Sequence, residues 1–527
     1  MTRLIRQTIL IAGFLTGVFG VGARAQNLDQ IGVTALRAVA TNLDGSGVRV
    51  AQPEAYDPGT TNFEVNPGAV GHPSGFLTYI SANGSTTSFP NALSGESGHA
   101  NSVGQIFYGQ PGGVATNVVH ADNYDANYFV TAVVQTLTAI PDAVVNQSFV
   151  DSNLGNQSIY DTIYDNYAAK YGTLFVSGAG NGGSVLPPST CYNGLSIGAY
   201  AGGSSVGPTA DNGRCKPDLV APAGETSFST PQVAGAAALL LQAALRGDGG
   251  GDTNSAADIR TIKALLLNGA VKPLGWTNSN SSPLDARYGA GVVNALNAYG
   301  QLAGGKHACI VTSTVPLNAA HPPTGATGTV SALSGWNFAT NTSGISSDSI
   351  QHYYFNVSNA VRSVKFTATA TLVWNRQTNY FNINSGLNDL DLLLYDTASS
   401  NLVAASISYV NNVEHLYVTN LAQGCYDLQV WKAGGTPGVN IISAVEPYAL
   451  AWEFVTPPTL AVSVSANPVL AWPVYPAGFL VETRTNLLSD AWNTNGIAAP
   501  TITNGQNSIL LNPTNAAQFF RLRSPNF

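Results

Sequence analysis

Apolar positions fall into three regimes along the chain. The first is an apolar run from Ile9 to Val21, preceded by Arg3 and Arg6 and closed by Ala23-Arg24-Ala25. A basic start, a short apolar stretch and a small-x-small ending describe a secretory signal peptide, residues 1–26, rather than a membrane anchor. In the second regime, residues 27–304, apolar β-rich runs alternate with helical runs of small residues. Val48-Arg49-Val50-Ala51, Ala143-Val144-Val145-Asn146 and Thr173-Leu174-Phe175-Val176 read as buried strands, and Tyr160 to Tyr171 and Pro231 to Leu245 as helices. This alternation predicts a three-layer α/β/α domain around a parallel sheet.

The third regime begins near Ala303-Gly304-Gly305 and has no helical periodicity. Val361 to Trp374, Asp391 to Tyr395 and Tyr426 to Trp431 read as strands of a β-sandwich, jelly-roll-like, over residues 305–455. Pro457-Pro458 marks another joint. Residues 456–527 read as a small β module ending in Phe519-Phe520-Arg521-Leu522-Arg523. No segment after the signal reads as a bilayer span, so the mature chain is expected to be exported and soluble.

Composition narrows the class. Charged residues make up 9 % of the chain, against about 25 % in typical soluble domains. The net charge of −8 becomes more negative once Arg3, Arg6 and Arg24 are removed, which disfavours nucleic-acid binding. Four cysteines fit an oxidising compartment, and their order suggests Cys191–Cys215 and Cys309–Cys425 among three possible pairings. No CxxC or HExxH pattern occurs, so a zinc enzyme is not expected. Nothing fixes the oligomeric state.

The candidate chemistry centres on Glu225-Thr226-Ser227-Phe228-Ser229-Thr230-Pro231-Gln232-Val233-Ala234-Gly235. The apolar run after it predicts a helix buried on every side. Pro231 suits a first turn, which puts Ser227 at the helix N-terminus among free N–H groups able to hold an oxyanion. The motif resembles the subtilase nucleophile motif. Gly98-His99-Ala100-Asn101-Ser102-Val103-Gly104-Gln105 is similar to that family's histidine motif, with Ser102 and Ala100 departing from it. Ser177-Gly178-Ala179-Gly180-Asn181-Gly182-Gly183 is similar to its Ala-Ala-Gly-Asn segment. Gly113-Val114-Ala115, the Lys216-Pro217-Asp218 stretch and Tyr288-Gly289-Ala290-Gly291 extend the likeness across the domain.

The resemblance implies a Ser-His-acid endopeptidase acting on protein or peptide substrates. Ser227 is the implied nucleophile, His99 the base and Asn181 the oxyanion donor. The family's aspartate aligns with Glu54, and Asp57 is a second candidate acid. Val144 to Ser148 resembles the substrate-edge strand. Ser148, Phe149 and Val150 would flank the S1 pocket, with Ser177, Gly178, Ala179 and Gly180 as its other wall. No cofactor is required for this chemistry. Leu387-Asn388-Asp389-Leu390-Asp391-Leu392 and Asn412 to Tyr417 resemble the jelly-roll domain of some alkaline subtilases, where Asp389 and Asp391 would ligate a structural Ca²⁺. The tail with Trp472, Phe479 and Trp492 resembles the C-terminal β modules of some secreted bacterial proteins.

Three features depart from the family. No hairpin separates Pro222 from Thr226, Glu225 replaces a glycine, and no inhibitory pro-segment is evident. The loose histidine motif, Glu54 in place of the aspartate and the missing hairpin leave two rival expectations. One is a catalytically impaired subtilase scaffold acting as an extracellular binding or adhesion protein. The other is a sedolisin-type carboxyl-serine protease, which should carry an aspartate where this chain has Asn181.

Overall fold

The computed structural model describes residues 27–90, 93–319, 328–361, 363–379, 382–463, 467–488, 491–511 and 518–524. The expected signal peptide lies outside them. The first unit comprises α1 (Val33–Val39), β1 (Arg49–Ala51), β2 (Leu77–Ser81), β3 (Gly84–Thr86), α2 (Gly98–Phe107), β4 (His120–Tyr124), α3 (Ala126–Tyr128), β5 (Val144–Gln147), α4 (Gln157–Tyr171), β6 (Leu174–Gly178), β7 (Leu195–Ala199), β8 (Leu219–Ala221), α5 (Thr226–Arg246), α6 (Thr253–Ala256), α7 (Ile259–Asn268) and α8 (Ala295–Ala303).

Its sheet runs β3-β2-β4-β1-β5-β6-β7-β8. It is parallel throughout except for the edge hairpin β2–β3. Every residue of β5, β6 and β7 is buried, as strands covered on both faces require. Side-chain alternation shows what covers them. Phe175 meets Tyr164 of α4, with ring centroids 4.7 Å apart, and Ser177 lies on the same face. Gly178 points the other way, where an added Cβ would stand 3.1 Å from Thr230 of α5. Helices α4 and α5 therefore sandwich the sheet.

Helix α5 is buried along almost its whole length. By length and composition it is apolar enough to cross a membrane, contrary to the reading that no such segment follows the signal. Its apolar sides are instead taken up by the sheet, α2, α7 and α8. At Gly235 a Cβ would come within 2.4 Å of Val114, so the small residue permits the close approach of the Gly113-Val114-Ala115 turn. The Lys216-Pro217-Asp218 and Tyr288-Gly289 stretches also serve packing. Buried Lys216 and Asp218 pair at 2.7 Å, and Gly289, at φ 58°, presses against the Asp218 backbone.

Two antiparallel sheets form the second unit. One has the order β10 (Ser334–Thr342), β19 (Val445–Val455), β12 (Phe366–Trp374), β17 (Val413–Leu421). The other runs β16 (Asn401–Ser406), β15 (Leu390–Asp396), β18 (Gly424–Lys432), β11 (Ser347–Val357), β9 (Val311–Pro316), with a hairpin β13 (Gln377–Asn379)–β14 (Asn382–Gly386) beside them. Their core includes Tyr353, Phe355, Trp374 and Trp452. Helix α7 packs on β12 and β19, and Val373, Val413 and Ala449 join the core of the first unit. The tail holds β20 (Ala461–Val462), β21 (Val469–Pro473), β22 (Leu480–Arg484), β23 (Thr501–Thr503), β24 (Gln506–Leu510) and β25 (Phe519–Arg523).

The expected disulfides are absent: Cys191, Cys215, Cys309 and Cys425 are all free thiols. Cys309 precedes β9 and Cys425 lies in β18, and β11 runs between these two strands. Two inter-strand steps of about 4.8 Å put the pair beyond the ~7 Å Cα limit of a bridge. Cys191 is packed beside Gly194. Cys215 is engaged instead by Asn411, which accepts from its N–H at 2.8 Å and reaches its sulfur at 3.9 Å. Burial pushes the Cys191 thiol up to about 12.

Candidate active site

The predicted site residues gather at the carboxyl ends of the parallel strands, where open α/β sheets bind ligands. Beyond β1 the chain stays extended alongside β4, with the Gln52 N–H on the Asp122 carbonyl (2.8 Å) and the Glu54 N–H on that of Tyr124 (2.9 Å). Positions two apart on an extended chain share a face, and the Gln52 amide donates to Glu54 Oε1 at 2.8 Å. It also donates to the Ala100 carbonyl (2.9 Å), while the Tyr108 hydroxyl donates to Gln52 Oε1 (2.6 Å). Gln52 thus fixes the carboxylate of Glu54, itself only 1 % exposed, against α2. Its place two residues before Glu54 was the only trace of this role in the sequence.

His99 is the second residue of α2. Its Nδ1 meets Glu54 Oε2 at 2.9 Å, leaving Nε2 as the free ring nitrogen. Asp57 is engaged elsewhere: it accepts from the Ser97 hydroxyl at 2.8 Å, and Ser97 caps α2 by accepting from the Ala100 N–H. Glu54 therefore contacts the imidazole and Asp57 holds the helix end that carries it. The His99 side chain is 33 % exposed and so can be reached from solvent. Burial acts to lower its pKa, but Glu54, then Asp57 and Glu225, outweigh burial and hold it above the ordinary histidine value.

Helix α5 begins at Thr226, so Ser227 stands in its first turn as expected, but Pro231 is its sixth residue and not part of that turn. An interior proline leaves the carbonyl four residues back without its N–H. Here that carbonyl belongs to Ser227, and the Ser148 hydroxyl donates to it at 3.0 Å. Ser227 Oγ in turn donates to the Ser148 carbonyl at 3.4 Å, not to His99. That bond is long for a hydroxyl donor, which leaves the oxygen easily redirected. Phe228 brings the two sides of the site together, its ring centroid 6.1 Å from that of His99. The Ser227 N–H makes no hydrogen bond within the described residues.

Asn181 follows β6. Its Oδ1 accepts from both the N–H (2.8 Å) and the hydroxyl (2.9 Å) of Thr226. Because an N–H can only donate, the amide orientation is fixed, and Nδ2 faces away from Thr226 with no acceptor among the described residues. Ser148 and Phe149 are buried and Val150 is partly exposed, just past the end of β5. Strand β5 itself is paired on both sides, so the expected substrate edge cannot be Val144 to Gln147 and is confined to the residues after them. Opposite lie Ser177, hydrogen-bonded to Gln147, and Gly178 to Gly180. Gly180 has φ 104°, and a Cβ there would stand 2.7 Å from Ser205.

Asp389 and Asp391 lie far along the chain, beside and in β15, and each has a buried Oδ1 without a hydrogen bond among the described residues. Among the described residues no group of three or more His, Cys, Asp or Glu side chains is arranged to hold a metal ion.

Residues 90–291 match the family model described as the subtilase family. The match takes in His99, Asn181 and Ser227 and leaves Glu54 outside. Among solved structures, the chain is similar to the MycP3 protease from the type VII (ESX-3) secretion system, with 18 % identity over 52 % of this chain and 87 % of that one and a TM-score of 0.34. It is also similar to the epidermin leader peptide processing serine protease EpiP from Staphylococcus aureus, with 15 % identity, 56 % and 84 % coverage and a TM-score of 0.37. Tripeptidyl peptidase 2 is a third, at 14 % identity, 73 % and 47 % coverage and a TM-score of 0.31. Likenesses at these TM-scores carry no functional argument.

Proposed function

We propose that this chain, which carries a subtilase segment over residues 90–291, is an exported serine endopeptidase whose triad is Ser227, His99 and Glu54. The observation that carries the reading is the 2.9 Å contact between His99 Nδ1 and the buried Glu54 carboxylate, beside a serine in the first turn of α5. In this reading His99 Nε2 takes the proton of Ser227 Oγ as that oxygen attacks the peptide carbonyl. The Ser227 N–H and Asn181 Nδ2 donate to the oxyanion. The C–N bond breaks, the amine leaves with the proton from His99, and water hydrolyses the acyl-enzyme with His99 again as base. Glu54 keeps the ring oriented and balances its charge. The acyl half of the substrate lies along Ser148, Phe149 and Val150, with Ser177 to Gly180 as the facing wall.

A structural calcium ion at Asp389 and Asp391 belongs to the same proposal. The two unpartnered Oδ1 atoms support it, and backbone carbonyls and water would have to supply the remaining oxygens. Export rests on the reading of residues 1–26 as a signal peptide.

The test is casein hydrolysis together with labelling by a serine-directed fluorophosphonate, using wild type, Ser227→Ala and Glu54→Ala. The proposal expects wild type to cut and label, Ser227→Ala to do neither and Glu54→Ala to lose most activity. A folded wild type that neither labels nor cuts would favour the binding-scaffold reading.

A further inference from the structure

We propose that Glu225 makes the cleft select substrates with a cationic side chain, arginine or lysine, on the first residue of the leaving half. The inference rests on the endopeptidase reading above.

The connection from β8 to α5 is only Pro222 to Glu225. Its backbone is clamped. The Ala201 N–H donates to the Ala223 carbonyl (3.1 Å), and the Asn27 and Gln232 amides both donate to the Pro222 carbonyl (2.5 and 3.1 Å). A Cβ on Gly202 would come within 2.1 Å of the Gly224 carbonyl oxygen. Glu225 is therefore anchored at the α5 N-cap, where its carbonyl accepts from the N–H groups of Phe228 and Ser229 (3.2 Å each).

Its side chain is exposed and makes no capping hydrogen bond. No ion pair engages it among the described residues. The other two carboxylates that act on His99 are committed, Glu54 to the imidazole and Asp57 to Ser97. Glu225 is thus the acidic group in this set left to meet a ligand.

Direction follows from the chemistry. His99 must protonate the departing amine, so the leaving half passes on the His99 side, away from Ser148 to Val150. Phe228, three residues beyond Glu225, stands against the His99 ring on that side. An aromatic ring and a free carboxylate at one helix end match a long cationic side chain. The stem covers the ring and the cation meets the carboxylate. Glu54, Asp57 and Glu225 all act on His99 with negative charge, which favours a cation there.

The test uses internally quenched peptides that differ only in the residue after the scissile bond (Arg, Leu or Glu), with active sites counted by fluorophosphonate. For wild type we expect kcat/KM for the Arg peptide to exceed that for the Glu peptide about tenfold, within reach of one partly screened charge pair. Glu225→Gln should bring the ratio near one and Glu225→Lys should invert it. The ratio cancels any general loss of activity in the variants. Equal rates on all peptides by a labelled, active wild type, or a ratio unchanged in Glu225→Gln, overturns the proposal and leaves the endopeptidase reading intact. Absence of both labelling and hydrolysis overturns both.

Discussion

The Ser148 hydroxyl stands 3.0 Å from the Ser227 carbonyl and fills the place of the backbone N–H that Pro231 lacks. Helix α5 can therefore carry a proline in its second turn without leaving the Ser227 carbonyl an orphaned acceptor. Other hydroxyls in this turn only add second donors: Thr230 donates to the Thr226 carbonyl at 2.7 Å, and Ser229 at 3.3 Å to that of Glu225, which already accepts two N–H groups. Ser148→Ala should cost about 0.5–1.5 kcal/mol, the worth of one such bond. In a Pro231→Ala background the N–H is restored and the same change should cost less than half as much. Urea unfolding of the four proteins in a double-mutant cycle measures this coupling, and equal costs in both backgrounds would refute it.

Glu54 and Asp57 act on His99 in different ways, and their variants should separate. Glu54→Gln removes the carboxylate that touches Nδ1 and should lower kcat by about 10³–10⁴, as loss of a triad acid does. Asp57→Asn keeps an acceptor for the Ser97 hydroxyl and should lower kcat by less than about tenfold. Similar losses in both would remove the distinction.

The acidic limb of the pH–rate profile reports the same electrostatics. His99 must be neutral to act as base, so activity falls as pH drops through its pKa. That pKa is held above the usual histidine value by Glu54, with Asp57 and Glu225 adding to it against the effect of burial. Removing a negative charge lowers it. Glu225→Gln should therefore move the acidic limb of kcat/KM to lower pH. A limb that stays in place or moves up would contradict the assigned field.

Much of this was legible in the sequence because it is local. The apolar run after Ser227 announces a buried helix, and Asn181 follows a glycine-rich turn directly after a strand. What was not legible depends on partners distant in the chain. Pro231 looked like a first-turn residue because its compensating donor, Ser148, lies 79 residues away. The Cys309–Cys425 pairing followed chain order, whereas β11, which separates the two, is placed by sheet topology. Glu54 could be aligned, but its choice over Asp57 depends on Gln52 and Ser97 holding the two carboxylates in different places.

Free thiols make a direct prediction. Mass spectrometry after denaturing alkylation without reductant should find all four cysteines modified. Under native conditions Cys425, which is exposed, should react before buried Cys191, whose thiol is further protected by its raised pKa. Dithiothreitol should leave Tm unchanged. A mass deficit of two alkyl groups would show a bridge.

Asp389 and Asp391 give the sandwich a pH dependence of definite sign. Burial, with Asp348 close by, raises Asp389 to about 6, and burial with Asp389 and Asp348 raises Asp391 to about 8. Lys432 partly opposes the shift at Asp389. A carboxyl whose folded pKa lies above its unfolded value of 3.8 binds its proton more tightly in the folded state. Stability from this pair is then greatest at low pH and declines as pH rises through about 6 and about 8. Asp391→Asn should flatten that decline, visible as a smaller fall in Tm between pH 5 and about 9 in metal-free buffer. If calcium binds here, millimolar Ca²⁺ offsets the same repulsion. It should raise the wild-type Tm more at alkaline than at acidic pH and do little for Asp391→Asn. An identical Ca²⁺ response in both proteins would place any bound calcium elsewhere, and a wild-type Tm that rises steadily with pH would remove the carboxyl pair as the source of the dependence.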